Sequence, residues 1–520
     1  MCGIAGRWGS ADVEADVQAM MSALVHRGPD AEGIFVQSTG MGWLGHRRLS
    51  IVDPAGGDQP IVARGGDLAI VANGEIYNAP DLRPSLTPHH RFVTESDTEV
   101  LLHVYDDHGA RAVEHVDGMY AFAIADGDQI FLARDPIGIK PLYYQQSGDT
   151  LRFASELKAF PAGTEDVREF PPGTVYSSAG GFSTFYTVPD PAPLEDTVKA
   201  HARRVREVLQ DAVVKRLMSD VPVGAFLSGG LDSSTIAAVA RPHVQELHTF
   251  SVGTEGSHDL EAARLVARHL DTKHHEHVLT PDEVAMHLPR IIFALESFDQ
   301  DLVRSAIPTY FAARLAAQHV KVILTGEGAD ELFAGYRYHR GIADDHRLRH
   351  ELRRSVTALH NLNLQRVDRM TMAHSLEGRV PFLDLEMIEV ALAIPAQLKL
   401  PTRSTRRMAE KWILRAAVED LLPPEVTWRD KEQFDEGSGA VDLLAAFIEE
   451  LTDGLNASSY RRRHPEVWLR SAEECHYHQL LLEAFGARDL LMSNIGRWAD
   501  RRDDSPSPER RADWSSQADR

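Results

Sequence analysis

The hydrophobic positions in the first part of the chain fall into short runs separated by turns. Most runs are rich in β-branched, aromatic and small apolar residues and follow one another directly, which favours strands. Two segments, Val13–Val25 and Thr98–Tyr105, have helical spacing instead. Strands in direct succession with helices set apart predict an α+β domain of layered, mostly antiparallel sheets over residues 2–186. The predicted strands are Gly33–Val36, Leu68–Ala72, Tyr120–Ala125 and Gln129–Ala133.

After residue 200 each apolar run is followed by a loop and then by a helix. This alternation predicts an α/β domain over residues 201–500 with a doubly wound parallel sheet, which binds ligands at the carboxyl ends of its strands. Residues 187–200 contain several prolines and are predicted to be a linker, and the polar residues 501–520 to be a disordered tail. The predicted strands are Val221–Leu227, Leu247–Val252 and Val320–Leu324.

Composition narrows the class of protein. At 520 residues the chain exceeds what one hydrophobic core organises, so two domains are expected. A formal net charge of −22 opposes a general nucleic-acid surface, and the absence of a long apolar run argues against a membrane protein. The start has no secretory pattern, and Cys2 and Cys475 cannot build a disulfide framework, so we expect a cytoplasmic protein.

A histidine-rich segment, His274-His275-Glu276-His277, raises the question of metal binding. Alternation along a strand puts only His275 and His277 on one face, and no cysteine lies nearby in the sequence. We therefore interpret the segment as a polar strand rather than as a metal site.

Cys2 follows the initiator Met1 directly and is a candidate nucleophile. Removal of Met1 would leave a thiol and a free α-amine on one residue. An α-amine titrates at about 7.7 to 8.0, so near neutrality it can take the thiol proton directly or through a water. A second-position cysteine can equally be an accident of sequence, and only its context decides between the two interpretations.

The segment Leu227–Ser234, Leu-Ser-Gly-Gly-Leu-Asp-Ser-Ser, lies where a predicted strand ends and a helix begins. Glycines let the backbone approach an anion closely, and a helix amino terminus favours phosphate. No Gly-Lys-Ser/Thr follows, so this is not the common kinase-type loop. Asp232 would suit a magnesium ion on phosphate oxygens, whereas the alternative is an ordinary glycine-rich turn.

A second acidic turn, Thr325–Glu331, also follows an apolar strand. Parallel-sheet geometry would bring it to the same sheet edge, where Asp232 and Asp330 could share a metal ion. Either turn alone could be a solvated loop. Together with Lys431, a cation available for phosphate oxygens, they predict an ATP site.

Ordered motifs over nearly the whole chain resemble the glutamine-hydrolysing asparagine synthetases. In that family an amino-terminal-nucleophile glutaminase is joined to an ATP-pyrophosphatase-type synthetase. The matching segments are residues 2–6, 26–30, 46–53, 73–78, 96–97, 134–143, 228–234, 325–331, 377–384 and 431–434.

The resemblance implies roles for residues of the first half. Cys2 attacks the side-chain amide of glutamine, and its α-amine carries protons. Asn73 and the N–H of Gly74 form the oxyanion hole. Arg48 holds the glutamine α-carboxylate through its planar guanidinium. The other glutamine-binding residues that it implies are Ile51, Val52, Glu75 and Asp97.

In the second half, the resemblance implies that ATP and Mg²⁺ convert the acceptor carboxylate into an acyl-adenylate, since a carboxylate reacts with an amine only after its oxygen becomes a good leaving group. Glu327 acts on the incoming nitrogen, and Asp232 and Asp330 bind the metal. Ammonia is expected to cross an apolar internal passage, and a homodimer is a family expectation. The implied ATP and pyrophosphate residues are Leu227, Ser228, Gly229, Gly230, Asp232, Ser233, Val252, Thr325, Gly326 and Lys431. The implied acceptor residues are Arg304, Glu331 and Asp384.

The segment before Arg304 departs from the family pattern, because Asp301 and Leu302 stand where better-known members carry threonines. Aspartate is the expected acceptor, and the same chemistry on another carboxylate is the alternative. A relative that closes an activated carboxylate on an internal amine is a third hypothesis, and a non-catalytic sensor is a fourth. Retention of Cys2, Asn73 and Glu327 counts against the last two.

Overall fold

The structure is a computed structural model that describes residues 2–11, 13–401, 410–429, 455–486 and 489–498. Lys431 and the predicted tail lie outside the described residues. The strands of the first half are β1 Gly3–Trp8, β2 Ala31–Val36, β3 Gly42–Arg48, β4 Ile61–Ala63, β5 Leu68–Ile76, β6 Gly118–Asp126, β7 Gln129–Arg134, β8 Tyr143–Ser147, β9 Thr150–Ala154, β10 Arg168–Glu169, β11 Thr174–Ser177 and β12 Gly181–Thr184.

Within the described residues these strands form two six-stranded sheets, in the orders β10-β8-β9-β1-β3-β2 and β12-β11-β7-β6-β5-β4. Within each sheet, neighbouring strands pair in the antiparallel direction, which confirms the predicted α+β class. The helices are α1 Glu14–Ala23, α2 Ala79–Leu86 and α3 Asp97–His108.

The two sheets face each other across a buried apolar layer that includes Ile4, Leu44, Val71, Leu132 and Phe153. This layer forms because alternate side chains of a strand point to one face, and burial removes the apolar ones from water. Helix α1 covers the outer face of the first sheet, and α3 covers that of the second. The stack brings the amino end of β1 and the middle of β5 together, so Cys2 meets Asn73.

The second half contains a parallel sheet in the order β15-β14-β13-β16-β17, which confirms the predicted α/β class. Its strands are β13 Val223–Phe226, β14 His248–Gly253, β15 Lys273–Val278, β16 Val322–Leu324 and β17 Glu377–Arg379. Ala225 of β13 pairs with Leu324 of β16, so the loops after these two strands emerge side by side.

Helices surround this sheet. They are α4 Val198–Lys215, α5 Leu231–Ala240, α6 His258–Leu270, α7 Pro281–Leu295, α8 Gln300–Ala316, α9 Ala329–Phe333, α10 Asp345–Thr357, α11 Asn363–Met372, α12 Leu385–Ala393, α13 Ala396–Lys399, α14 Trp412–Val418, α15 Pro424–Thr427, α16 Ala457–Arg463, α17 Ala472–Phe485 and α18 Asp489–Met492. Helix α4 begins inside the predicted linker, and the domain limits remain a prediction. No helix among the described residues is both long and apolar enough to span a bilayer.

Candidate active sites

The first site is built around Cys2, at the start of β1. The side chain of Cys2 is buried, and the backbone N–H of Cys2 donates to Oδ1 of Asn73 at 2.9 Å. This contact fixes the orientation of the Asn73 amide. Its Nδ2 is buried and has no hydrogen-bond partner in the described part of the chain. A buried, unused donor is costly, so Nδ2 is available to a ligand oxygen.

Gly74 follows Asn73 on β5 and pairs with Tyr120 of β6. Its φ is +155°, and a Cβ at this position would overlap the carbonyl oxygen of Met119. Packing therefore requires glycine, and β5 can pass close beside β6 at the point where Asn73 meets Cys2.

A group of buried carboxylates lies near Cys2. Burial raises the pKa of the Cys2 thiol, and the charges of Glu377 and Glu75 raise it further. The pKa values of Glu75 and Asp97 are likewise raised by burial, with the nearby charge of Glu377 adding to the effect. Nη2 of Arg379 lies 3.6 Å from Oε2 of Glu75 and offsets part of this charge. The remaining negative field suits a cationic group of a ligand.

Arg48 ends β3 at the edge of this site. Its guanidinium donates to the carbonyl oxygens of Val52, Asp53 and Pro54 and to Oδ1 of Asp58, the last at 2.7 Å. The side chain is only 5% exposed. Arg48 therefore shapes the loop of residues 52–58. Ile51 is buried, and its carbonyl oxygen accepts the N–H of Asp220.

The second site is a cleft of about 280 Å³ at the carboxyl ends of β13, β14 and β16. We refer to it as the nucleotide cleft, after the ligand that the sequence predicts for it. Of the predicted residues, those that line it are Leu227, Ser228, Gly230, Asp232, Ser233, Val252, Thr325, Gly326, Glu327, Asp330 and Glu331. The sheet thus brings together two turns that are almost one hundred residues apart, as strand order requires.

The turn after β13 is held by hydroxyl groups. Oγ of Ser228 and Oγ of Ser233 lie 3.0 Å apart, and the N–H of Gly230 donates to Oγ of Ser228 at 3.3 Å. Gly229 permits the close packing of this turn, because its φ is +74° and a Cβ would press on Ala262 and Ala263 of α6. The turn therefore leads into α5 with the helix amino terminus facing the cleft, an arrangement that favours phosphate.

Lys411 lies between Asp232 and Asp330. Its Nζ contacts Oδ2 of Asp232 and lies 2.6 Å from Oδ1 of Asp330. Burial alone would lower the pKa of this ammonium, but the two carboxylates outweigh it and raise the pKa. Sequence reasoning missed Lys411, because a lone lysine before an apolar helix gives no local sign of these partners.

The donor set also suits a magnesium ion. Two carboxylate oxygens near one point, beside a helix amino terminus that favours phosphate, are the hard ligands that Mg²⁺ takes from protein. Both oxygens contact the same Lys411 ammonium, so a magnesium ion shared by them would take the place of that ammonium.

Glu327 faces the cleft and pairs with the guanidinium of Arg366 from α11. Burial raises the pKa of Glu327, and Arg366 offsets only part of that effect. Glu331 accepts hydrogen bonds from the hydroxyl of Tyr336 at 2.6 Å and from Nδ2 of Asn363 at 3.2 Å. Helix α11 therefore positions both acidic side chains.

Two of the predicted acceptor residues do not line the cleft. Arg304 makes a two-point ion pair with Glu473, at 2.9 and 2.6 Å, although Asp301 and Ser305 of the same helix do line it. Asp384 caps α12 and pairs with Arg216 at 2.7 Å.

The fold and the two sites define a two-domain amidotransferase, and comparison with known proteins agrees. A glutamine amidotransferase domain model matches residues 1–178, and an asparagine synthase model matches residues 204–343 and 340–481. An asparagine synthetase of Asparagus officinalis, described as glutamine-hydrolysing, is 38% identical over 93% of this chain and 86% of its own length. Asparagine synthetase 3 of Arabidopsis thaliana is 37% identical over 95% of this chain and 89% of its own length. An asparagine synthetase of Zea mays is 37% identical over 95% of this chain and 88% of its own length. The chain belongs to the family of glutamine-hydrolysing asparagine synthetases, which are carbon–nitrogen ligases.

A solved structure titled as the allosteric regulatory enzyme of purine biosynthesis shares 23% identity over 49% of this chain and 66% of that one. Its TM-score is 0.33, too low to support an inference.

Proposed function

We propose that the chain transfers the amide nitrogen of glutamine to the side-chain carboxylate of aspartate, using ATP and releasing asparagine, glutamate, AMP and pyrophosphate. The observation that carries this proposal is the presence, in one chain, of the Cys2–Asn73 pair and the nucleotide cleft, in a sequence 38% identical to an asparagine synthetase over 93% of its length.

In the first half-reaction, Sγ of Cys2 attacks the amide carbon of glutamine. The thiol is buried with a raised pKa, so it needs a base, and the α-amine freed by removal of Met1 is the nearest one. Nδ2 of Asn73 and the N–H of Gly74 stabilise the oxyanion. Ammonia leaves as the thioester forms, and water then releases glutamate.

Around that centre, charged side chains hold the glutamine backbone groups. Arg48, with Ile51 and Val52 beside it, binds the α-carboxylate, and the buried carboxylates of Glu75 and Asp97 bind the α-ammonium. Their raised pKa values support this role, because a cation is what relieves the crowding of negative charge.

In the second half-reaction, a carboxylate oxygen of aspartate attacks the α-phosphorus of ATP and pyrophosphate leaves. Ser228, Gly229, Gly230 and Ser233 cradle the phosphates, with Lys431 as a further cation. Leu227, Val252, Thr325 and Gly326 contact the nucleotide. Asp232 and Asp330 would hold Mg²⁺, which supplies charge neutralisation for the phosphate oxygens.

Ammonia then attacks the acyl carbon of the adenylate, and AMP leaves. Glu327 accepts a proton from the incoming nitrogen, and Arg366 keeps its carboxylate in place. Glu331, which lines the cleft, would contact the acceptor. Arg304 would have to exchange Glu473 for an acceptor carboxylate, and Asp384 would have to act through α12, which it caps.

Ammonia must reach the cleft unprotonated, which requires a passage without water. A buried apolar cluster extends across the two halves and includes Met119, Ile137 and Ile139 from the first and Leu227 and Leu231 from the second. This cluster supports an apolar route from Cys2 to the nucleotide cleft.

An acceptor screen tests the proposal. Pyrophosphate release is measured with ATP, Mg²⁺ and glutamine against aspartate, glutamate and other carboxylates. We expect release and amide formation with aspartate in equal amounts. Inactivity with aspartate beside strong activity with another carboxylate would contradict the proposed acceptor.

A further inference from the structure

Three histidines meet at the parallel sheet, outside the residues that line either site. Suitable nitrogens of His248, His275 and His319 all lie within 4.8 Å of one another. Nδ1 of His248 and Nε2 of His275 are 3.1 Å apart. The pattern along β15 alone does not reveal this group, because the partners of His275 come from β14 and from the segment before β16. We refer to the three residues as the histidine cluster.

The fold builds the cluster from neighbouring elements. Parallel pairing sets His275 of β15 beside Phe250 of β14, and His248 begins β14. The Phe250 ring lies 5.1 Å from the ring of His275 and 5.8 Å from that of His319, forming an apolar floor. His248 and His275 are half-buried, and His319 is exposed, so the cluster is open to solvent on one side.

Glu246 fixes the nitrogen that His248 offers to the cluster. Nε2 of His248 lies 2.9 Å from Oε1 of Glu246. A carboxylate only accepts, so Nε2 carries the proton and Nδ1 keeps its lone pair toward His275. A carboxylate behind an imidazole is the usual outer-shell support of a metal-bound histidine.

We propose that the histidine cluster binds one divalent transition-metal ion of the Zn²⁺ class. Imidazole nitrogens suit Zn²⁺, Ni²⁺ and Cu²⁺, and three of them leave one coordination position open. Zn–N bonds of about 2.0 to 2.1 Å in a tetrahedral site separate the nitrogens by about 3.4 Å. In the cluster one pair of nitrogens is 3.1 Å apart and all lie within 4.8 Å of one another. The His275 and His319 rings are stacked with centroids 3.9 Å apart, so metal binding requires the exposed His319 ring to turn its nitrogen lone pair toward the ion.

This site is separate from the carboxylates of the nucleotide cleft. None of the three histidines lines the cleft, although Phe250 lies between the two sites and contributes to both. A second group, His90, His103 and Asp106, is a weaker candidate, because Asp106 already accepts from Nε of Arg64 at 2.6 Å.

Zinc titration of the full-length, chelator-treated protein tests the proposal. Zn²⁺ is added against a chromophoric chelator, with excess Mg²⁺ present to occupy the carboxylate site. The variants are His275→Gln and His319→Gln. The matched control is His274→Gln, which alters the opposite face of β15, where His274 contacts Thr249.

We expect the unmodified protein and the control to bind one more tight Zn²⁺ ion than either cluster variant. Glu246→Gln should keep that ion but weaken its binding about 10- to 100-fold. Equal Zn²⁺ binding by the unmodified protein and both cluster variants would overturn the proposal and leave a stack of imidazoles only. Should His275→Gln fail to fold, the exposed position of His319 lets His319→Gln decide alone.

Discussion

Arg27 in the first half and Asp368 on α11 form a buried two-point ion pair, with Nη1–Oδ2 at 2.7 Å and Nη2–Oδ1 at 3.0 Å. The same guanidinium donates from Nε to the carbonyl oxygen of Cys2 at 3.0 Å. Helix α11 also carries Arg366, the partner of Glu327. One helix is therefore connected to both sites by charged contacts.

Asp368→Asn should loosen this connection. Removing one partner of a buried ion pair lowers the free energy of unfolding by about 3 to 5 kcal/mol. Because Glu156 lies 2.6 Å from Arg27 and remains as a second partner, we expect a loss near the lower end of that range. We expect a lower free energy of unfolding in denaturant and more than one glutamate formed per amide.

The control is Glu207→Gln, whose partner Arg203 is 72% exposed, so both readouts should stay unchanged. If Asp368→Asn keeps both the stability and the one-to-one ratio, the pair does not link the two sites.

Asn73→Ala should remove one oxyanion donor and the acceptor for the Cys2 N–H. The turnover of glutamine is expected to fall about 100- to 1000-fold, while synthesis from ammonium persists. Steady-state rates with each nitrogen source measure the difference. Equal losses with both sources would refute a role confined to the first site.

Glu327→Gln should separate activation from amide formation. The new side-chain amide at position 327 can still contact Arg366 but cannot accept a proton from the incoming nitrogen. The rate of amide formation should therefore fall about 100-fold or more. Exchange of labelled pyrophosphate into ATP, which reports the adenylate, should continue. Asp330→Asn is the comparison and should reduce both. Loss of exchange in Glu327→Gln would assign Glu327 to the earlier step.

Glu169 should make stability depend on pH. Burial alone would raise its pKa, but the charges of His360 and Arg134 outweigh it and lower the pKa to about 2. A carboxyl group whose pKa is lower in the folded than in the unfolded protein stabilises the fold at pH values above its unfolded pKa, which is near 4.5. This stabilisation is lost as the pH falls toward the folded pKa of about 2.

The unfolding free energies of the unmodified protein and Glu169→Gln should therefore differ by up to about 3 kcal/mol at pH 6 and converge on acidification. Denaturant titrations at a series of pH values measure this. A difference that does not change between pH 6 and pH 3 would exclude the assigned ion pair.

Local patterns predicted the architecture because each depends on near neighbours. Short apolar runs in direct succession, as in β6 and β7, indicate antiparallel strands, and strand–loop–helix order indicates the parallel sheet. Because the loops after parallel strands emerge at one edge of the sheet, the sequence also predicts that the turns of Asp232 and Asp330 lie close together. Roles such as those of Asn73 and Arg48 needed the family resemblance, since each alone is an ordinary polar residue.

Long-range charge pairing was beyond the sequence. Arg27 and Asp368 are 341 residues apart, and no periodicity relates them. The charge of Arg304 was evident, but its choice of Glu473 depends on how α17 packs against α8. The histidine cluster was missed for the same reason, because its members come from three separate segments.

The most direct test of the account is Cys2→Ala, assayed with ¹⁵N-amide glutamine and, separately, with ¹⁵N-ammonium. Label from glutamine should no longer enter the amide product, while label from ammonium should enter at an unchanged rate, with folding checked by circular dichroism. Loss of both reactions in folded protein, or continued transfer from glutamine, would contradict the division of labour between the two sites.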